Sequence, residues 1–192
     1  MRRVRSFIAV DPGAEVRKRA VALQQQLAKV GAAVKWADPA GMHVTLLFLG
    51  EIDDRDIVPV CRAMTAAAGG EAPFALRVSG VGAFPTVRRP KVIWGGVTDG
   101  ADPLRRMYGR LEASLLDLGI YRKEERGYAP HLTLGRVKGE ADGLALAPEL
   151  TTRLAWDGGR GMVNEVALFS SEIRRGDPEY TILGRTELGG DG

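Results

Sequence analysis

The sequence predicts an α+β protein built from a duplicated unit, with antiparallel sheets and helices packed outside them. Three observations lead there. The chain's only two histidines open the same four-residue word, His43-Val44-Thr45-Leu46 and His131-Leu132-Thr133-Leu134. The words stand about half a chain length apart; each follows a long helical pattern and a connection, and precedes a variable or helical segment and a strand pair. Strands separated by helices could also signal a parallel α/β sheet, but hairpin-like pairs with alternating apolar and polar residues favour antiparallel pairing.

Taken in order, Ser6 to Val10 reads as a buried strand, and Pro12-Gly13 punctuates it. Val16, Ala20, Leu23, Leu27 and Val30 recur at helical spacing until Gly31, predicting a helix over Ala14 to Val30. Val34 to Pro39 reads as a connection and Met42 to Leu49 as the first motif strand. Asp53 and Asp54 are helix-start signals for a helix reaching Ala68, and Pro59 moves its start later, toward its own first turn. Phe74 to Val81 alternates as a half-buried strand, Gly82 to Pro90 reads as a loop, and Lys91 to Val97 as its hairpin partner. Asp102-Pro103 begins an amphipathic helix through Leu104, Met107, Leu111, Leu115 and Leu118, closed by Gly119. Tyr121 to Pro130 reads as a polar basic loop and His131 to Val137 as the second motif strand. Lys138 to Pro148 carries little pattern, and Leu150 to Leu154 suggests a short helix. Met162 to Ser171 and Tyr180 to Leu188 form a last strand pair around a turn at Arg174 to Pro178. The Gly-rich end from Gly189 reads as a tail.

Composition bounds the function. The 192 residues suffice for one domain or two small lobes sharing a cleft, and 45% hydrophobic with 27% charged residues is ordinary for a globular chain. No apolar run approaches the ~18 residues of a membrane span. The basic, then apolar N-terminus resembles a signal peptide only superficially, since Asp11-Pro12 interrupts it and no small-residue cleavage site follows; a cytoplasmic location is expected. The lone Cys61 excludes an internal disulfide and sits in a helical pattern as packing. No metal-ligand spacing occurs, so no metal and no cofactor are expected. The formal charge is +3, with only six lysines among 27 basic residues. An arginine-rich surface suits phosphate, and biased composition accounts for it equally well.

The repeated word has a chemical rationale. On a strand, successive side chains point to opposite faces, so His43 shares a face with Thr45, and His131 with Thr133, roughly 6.5–7 Å along the strand. Val44, Leu46, Leu132 and Leu134 point the other way, into a core. Two such strands facing across a groove bring two imidazoles and two hydroxyls around one small volume, which suits a tetrahedral phosphate. Histidine's ordinary pKa, near ~6.5, fits proton transfer at neutral pH. A single His-x-Thr on a strand is usually structural; duplication that consumes every histidine favours function. Phe48 and Arg136 hold corresponding places five residues after their histidines. An aromatic there could stack on a nucleobase and an arginine could grip phosphate. A regular strand would point both away from the histidine face, whereas a bulge near Gly135 would re-aim them.

Other candidates are weaker. Tyr128 and Pro130 could rim the groove or simply pack. Trp36 and Trp94 could stack on bases or fill the core. Arg88, Arg89, Arg122, Lys123 and Arg126 could meet a nucleic-acid backbone or be solvated loop charge. Asp11, Glu51 and Asp53 make no carboxylate pair, and Gly80-Val81-Gly82 is too sparse for a nucleotide fingerprint.

With these motifs in place, the chain resembles the 2H phosphoesterase superfamily, and more narrowly the bacterial and archaeal RNA 2',3'-cyclic phosphodiesterases, historically called 2'-5' RNA ligases. The resemblance runs through Arg5-Ser6-Phe7-Ile8-Ala9-Val10, His43 to Glu51, Gly80 to Pro85, Pro90-Lys91-Val92-Ile93-Trp94 and Pro130 to Arg136. It implies a bilobal α+β fold of two intertwined lobes within residues 1–192, related by a pseudo-two-fold axis, each bringing one motif to a central cleft. It implies metal-free hydrolysis of an RNA 2',3'-cyclic phosphate end to a 2'-phosphomonoester, with reversible RNA joining as a side reaction. By that resemblance His131 is the proton acceptor, His43 the proton donor, Thr45 and Thr133 hold the non-bridging oxygens, and Arg136 neutralises charge. Other 2H activities, on small cyclic nucleotides or RNA tails, and a non-catalytic RNA-end-binding module are the alternatives. The partner is RNA rather than a membrane, and a cleft between two lobes of one chain needs no second subunit, so a monomer is expected.

Overall fold

The computed structural model describes residues 2–123, 127–174 and 176–189. Its strands are β1 (Arg3–Val10), β2 (Val34–Trp36), β3 (Val44–Asp53), β4 (Phe74–Thr86), β5 (Arg89–Val97), β6 (His131–Val137), β7 (Asp157–Val163), β8 (Glu165–Arg174) and β9 (Asp177–Glu187). Its helices are α1 (Ala14–Ala28), α2 (Ile57–Ala68), α3 (Ala101–Asp117) and α4 (Glu140–Thr151). The strands form one antiparallel sheet in the order β7-β4-β5-β6-β3-β1-β8-β9, with β2 laid beside β6. That order reads as two four-stranded halves about the β6–β3 junction. The junction is a single residue pair, Val44 opposite Leu132. Each is the second residue of its motif, so an antiparallel pairing of equivalent positions places a local two-fold axis between the motif strands.

The duplication is interlaced. β1, α1 and β3 come from the first half of the chain, yet their half of the sheet is completed by β8 and β9 from its end. α1 packs on β7 and β6, and α3 on β3, so each long helix covers the opposite half of the sheet. One core fills the space between sheet and helices. Ile8, Val10, Val44, Leu46, Leu132, Leu134 and Ile93 meet Leu23, Leu27, Met107 and Leu111 there. Burying these side chains is the main drive for the layered arrangement. Glu71, buried beyond α2, accepts from Arg106 and Arg110 of α3 at 2.7–2.9 Å and ties the two helices together.

Several elements depart from the sequence reading. Residues 82–90 are not a loop: β4 runs to Thr86 and β5 starts at Arg89, leaving a two-residue turn. Gly82 and Pro85 look like punctuation in the sequence, but a side chain at 82 would run into the Trp94 ring, and Pro85 pairs with Pro90 at the hairpin end where the ladder stops. The connection at Val34–Trp36 is β2, a strand by virtue of its pairing with β6. The unpatterned segment is α4, which ends at Thr151 instead of starting at Leu150. Gly143 and Pro148 hide it, because both disfavour helix. Gly143 lies against the Pro90 carbonyl, where a Cβ would come to 2.9 Å. The strand expected over Met162 to Ser171 is two strands, broken at Asn164 where the chain crosses from one half of the sheet to the other. The helix after β3 begins at Ile57, with Pro59 in its first turn as the proline geometry requires.

Candidate active site

Each motif strand carries the same irregularity. Along β1 and β3, Ile8 pairs with Leu47 and Ala9 with Thr45, so Leu46 is an extra residue. Along β5 and β6, Ile93 pairs with Gly135 and Trp94 with Thr133, so Leu134 is the extra one. Both bulges fall at the fourth residue of the motif. A one-residue bulge inverts the alternation beyond it. Leu46 and Leu47 are both buried, and so are Leu134 and Gly135; Phe48 and Arg136 then come out exposed, on the face that carries the histidines and threonines. Gly135 permits this because a Cβ there would come within 2.8 Å of the Trp36 and Val34 side chains.

The histidines are held alike. His43 Nδ1 lies 2.6 Å from the Gly41 carbonyl and His131 Nδ1 lies 2.8 Å from the Ala129 carbonyl, two residues upstream in each case. A carbonyl only accepts, so Nδ1 carries the hydrogen and each neutral ring is left with Nε2 as its free base. His43 stacks on Phe7 at 4.6 Å, with Tyr180 edge-on at 5.4 Å. Phe169 continues the pile beyond Phe7 at 5.2 Å. His131 is met edge-on by Phe84 at 5.2 Å, with Trp94 at 6.2 Å.

Burial pushes both imidazoles below their ordinary value, partly offset by the carbonyls of Gly41 and Ala129. The charge of His131 lowers His43 further, and that of Arg136 lowers His131. The two rings therefore act on each other electrostatically, and the doubly protonated pair is disfavoured. Arg136 and Arg5 also act on the Tyr180 phenol, whose pKa burial raises. The site thus joins two imidazoles, two half-buried threonines and two arginines on one sheet face, an arrangement able to move protons beside an anion.

The family model for LigT-like phosphoesterases matches residues 10–94. An RNA 2',3'-cyclic phosphodiesterase of Aquifex aeolicus is 30% identical over 190 residues, covering 99% of this chain and 100% of the relative. The chain belongs to the LigT-like phosphoesterase family. An RNA 2',3'-cyclic phosphodiesterase of Methanothermobacter thermautotrophicus is 31% identical over 93% of this chain and 96% of its own. Among solved structures, a Thermus thermophilus protein superposes with TM-score 0.82 at 28% identity, over 98% of this chain and 100% of that one. LigT of E. coli in its apo form gives 0.74 at 25% identity, over 98% and 99%.

In this phosphoesterase the remaining sequence candidates fall as follows. Phe48 is 55% exposed, with its ring 6.1 Å from Phe7. The Tyr128 hydroxyl donates to the Thr45 carbonyl at 3.0 Å, and its ring stacks on Tyr108 at 4.5 Å, so it braces the first motif strand. Pro130 is buried and its carbonyl accepts from Val97. Trp94 reaches the His131 ring, whereas Trp36 packs against the core. Arg88, Arg122 and Lys123 are exposed turn or loop residues and Arg89 is the exposed first residue of β5, none of them among either ring's contacts; Arg126 lies outside the described residues. Asp11 pairs with Arg17, Asp53 accepts from the Arg55 amide, and Glu51 pairs by backbone with Arg5. Cys61 is half-buried in α2 and burial raises its pKa, in keeping with packing. Among the described residues no group of three His, Cys, Asp or Glu is placed to hold a metal ion, and no helix is long and apolar enough to cross a membrane.

Sequence reasoning gives no role to Phe7, Phe84, Phe169 and Tyr180. They come from four different strands, and alternation alone marks them as strand residues; the signal is their aromatic identity on the face opposite the core leucines. Arg5 likewise carries no role in the sequence reading.

Proposed function

We propose that this phosphoesterase hydrolyses RNA 2',3'-cyclic phosphate ends to 2'-phosphomonoesters through paired histidine acid–base catalysis. The observation that carries this reading is the twofold repetition of an imidazole whose Nδ1–H is locked on a carbonyl two residues upstream, which leaves Nε2 as the free base. The names of the Aquifex and Methanothermobacter relatives support the substrate. His131 Nε2 takes a proton from water as the water oxygen bonds to phosphorus. The P–O3' bond breaks, and the departing 3'-oxygen takes the proton of His43 Nε2. Thr45 and Thr133 donate to the non-bridging oxygens, and Arg136 offsets their charge, as positioned donors do where charge develops. Exchange with solvent restores His43 and frees His131. The 5'-hydroxyl of a second RNA in place of water forms a 2'-5' linkage by the same steps, which is the reversible joining side reaction. The scheme calls on no metal, both motifs come from one chain, and a single cytoplasmic copy suffices.

The deciding experiment is incubation with a dinucleotide ending in a 2',3'-cyclic phosphate, followed by chromatography against 2'- and 3'-phosphate standards. The 2'-phosphate is the expected product, at a rate indifferent to EDTA. A 3'-phosphate, or loss of turnover in EDTA, contradicts the scheme; unaltered substrate recovered bound points to an end-binding module.

A further inference from the structure

The two motifs hold the peptide ahead of their histidines in different ways. The two-fold relation that sets Val44 opposite Leu132 also matches β1 with β5: Val10 pairs with Val44 as Gly95 does with Leu132, and Ala9 with Thr45 as Trp94 does with Thr133. Two residues beyond Val10 and Gly95, Pro12 therefore corresponds to Val97. In the second motif the Val97 amide donates to the Pro130 carbonyl at 3.2 Å, which fixes the peptide carrying His131. In the first motif the matching acceptor is the Met42 carbonyl, and Pro12 has no N–H to give it. Arg17, in the first turn of α1, reaches that carbonyl instead. Its Nη2 lies 3.5 Å from the Met42 carbonyl oxygen and 2.5 Å from the Asp11 carboxylate. Asp11 is itself fixed, accepting from the Gly13 amide at 2.7 Å. The Arg17 side chain is only 26% exposed, so it lies against the chain and not out in solvent.

We propose that Arg17 is a positioning residue for His43, standing in for the strand amide that Pro12 cannot supply. The inference rests on the reading that His43 protonates the departing 3'-oxygen. The Met42 carbonyl belongs to the peptide bond that carries the His43 nitrogen, and the Gly41 carbonyl one residue earlier takes the His43 Nδ1–H at 2.6 Å. Holding Met42 therefore holds both the attachment of the ring and the acceptor that sets its tautomer. A guanidinium suits the task because its charge draws a carbonyl more strongly than a neutral amide does. Arg17 bonds the main chain ahead of the ring and not the ring itself, so it acts through placement. Displacing a catalytic group by about 1 Å costs on the order of 10²-fold in rate, and a partial slip of the Met42 peptide costs less.

The test is Arg17→Met, which keeps the apolar stem of the side chain and removes its donors. On a dinucleotide ending in a 2',3'-cyclic phosphate, kcat is expected to fall about 10-fold with KM little changed, because a displaced acid weakens the transition state and not substrate capture. Nitrogen NMR of the imidazoles reads the same effect without turnover, and the chain has only these two histidines to assign. Above both imidazole pKa values the wild type is expected to show two rings with hydrogen on Nδ1. In Arg17→Met the His43 signals move toward a mixture of tautomers and those of His131 stay. Asp11→Asn leaves Arg17 without its ion-pair partner, gives the same pattern, and serves if Arg17→Met does not fold. A folded variant with wild-type kcat or unmoved His43 signals overturns the proposal, and so does a loss confined to KM or an equal disturbance of His131. A wild type that leaves the cyclic phosphate uncleaved defeats the acid–base reading instead, while the ring signals still decide whether Arg17 fixes His43.

Discussion

His43 and His131 each give their Nδ1–H to a carbonyl two residues upstream, yet their surroundings differ where it matters for proton transfer. His43 lies in an aromatic stack and feels the charge of His131, whereas His131 feels that of Arg136. Both pKa values are lowered, and the proposed scheme works with one ring protonated and the other neutral. On that scheme the free enzyme is expected to lose activity on the alkaline side as His43 loses its proton, and on the acid side as His131 gains one. Both limbs of kcat/KM are therefore expected below the ordinary imidazole value of ~6.5. The bound phosphate anion stabilises the imidazolium, so the kcat limbs shift to higher pH. His43→Ala should remove the alkaline limb and His131→Ala the acid limb, each lowering turnover at least ~10²-fold. Rate profiles of the three proteins check this, and a kcat/KM alkaline limb well above the ordinary imidazole value contradicts it.

The bulges at Leu46 and Leu134 are where local sequence becomes site geometry. Without them the fifth residue after each histidine points at the helices. Gly135→Ala puts a methyl 2.8 Å from the Trp36 and Val34 side chains. Overpacking of that kind costs about 1–3 kcal/mol, and relief by shifting β6 displaces Arg136. The variant should show a lower denaturation midpoint together with a roughly tenfold loss of kcat/KM, equivalent to about 1.4 kcal/mol of transition-state contact. Exposed Arg136→Ala should match the activity loss with the midpoint unchanged. Unchanged activity in Gly135→Ala would separate the bulge from Arg136. A bulge at Gly135 can be anticipated from the glycine; its twin at Leu46 cannot, because a leucine carries no such mark.

The two halves of the sheet are joined by one residue pair, Val44 with Leu132, and the proposed chemistry needs two imidazoles held in register across it. Tyr128 supplements that joint. It lies in the lead-in to the second motif and donates to the Thr45 carbonyl of the first at 3.0 Å. Lys35 adds a bridge from β2 to the β8–β9 turn, through the Gly176 carbonyl at 2.6 Å and Asp177 at 3.2 Å. Tyr128→Phe removes one hydrogen bond, about 0.5–1.5 kcal/mol of stability, and loosens one motif against the other. The expected result is a lower kcat with little change in KM, because a misplaced acid affects the transition state more than substrate capture. A change confined to KM would argue that Tyr128 serves binding.

The α+β class, the antiparallel pairing, the first three helices within a few residues and the two histidine strands are all legible in the chain, because alternation, helical spacing and a repeated word are local signals. The same holds for His43, His131, Thr45 and Thr133 sharing a face. What depends on folding is which strands lie side by side: β8 and β9 crossing to complete the first half, and the aromatic pile on His43 drawn from β1, β8 and β9. The contacts that β8 and β9 make with β1 and His43 join residues more than a hundred positions apart, and even Phe7 reaches His43 from another strand; local periodicity carries no information about such partners, and burial of one shared core chooses them.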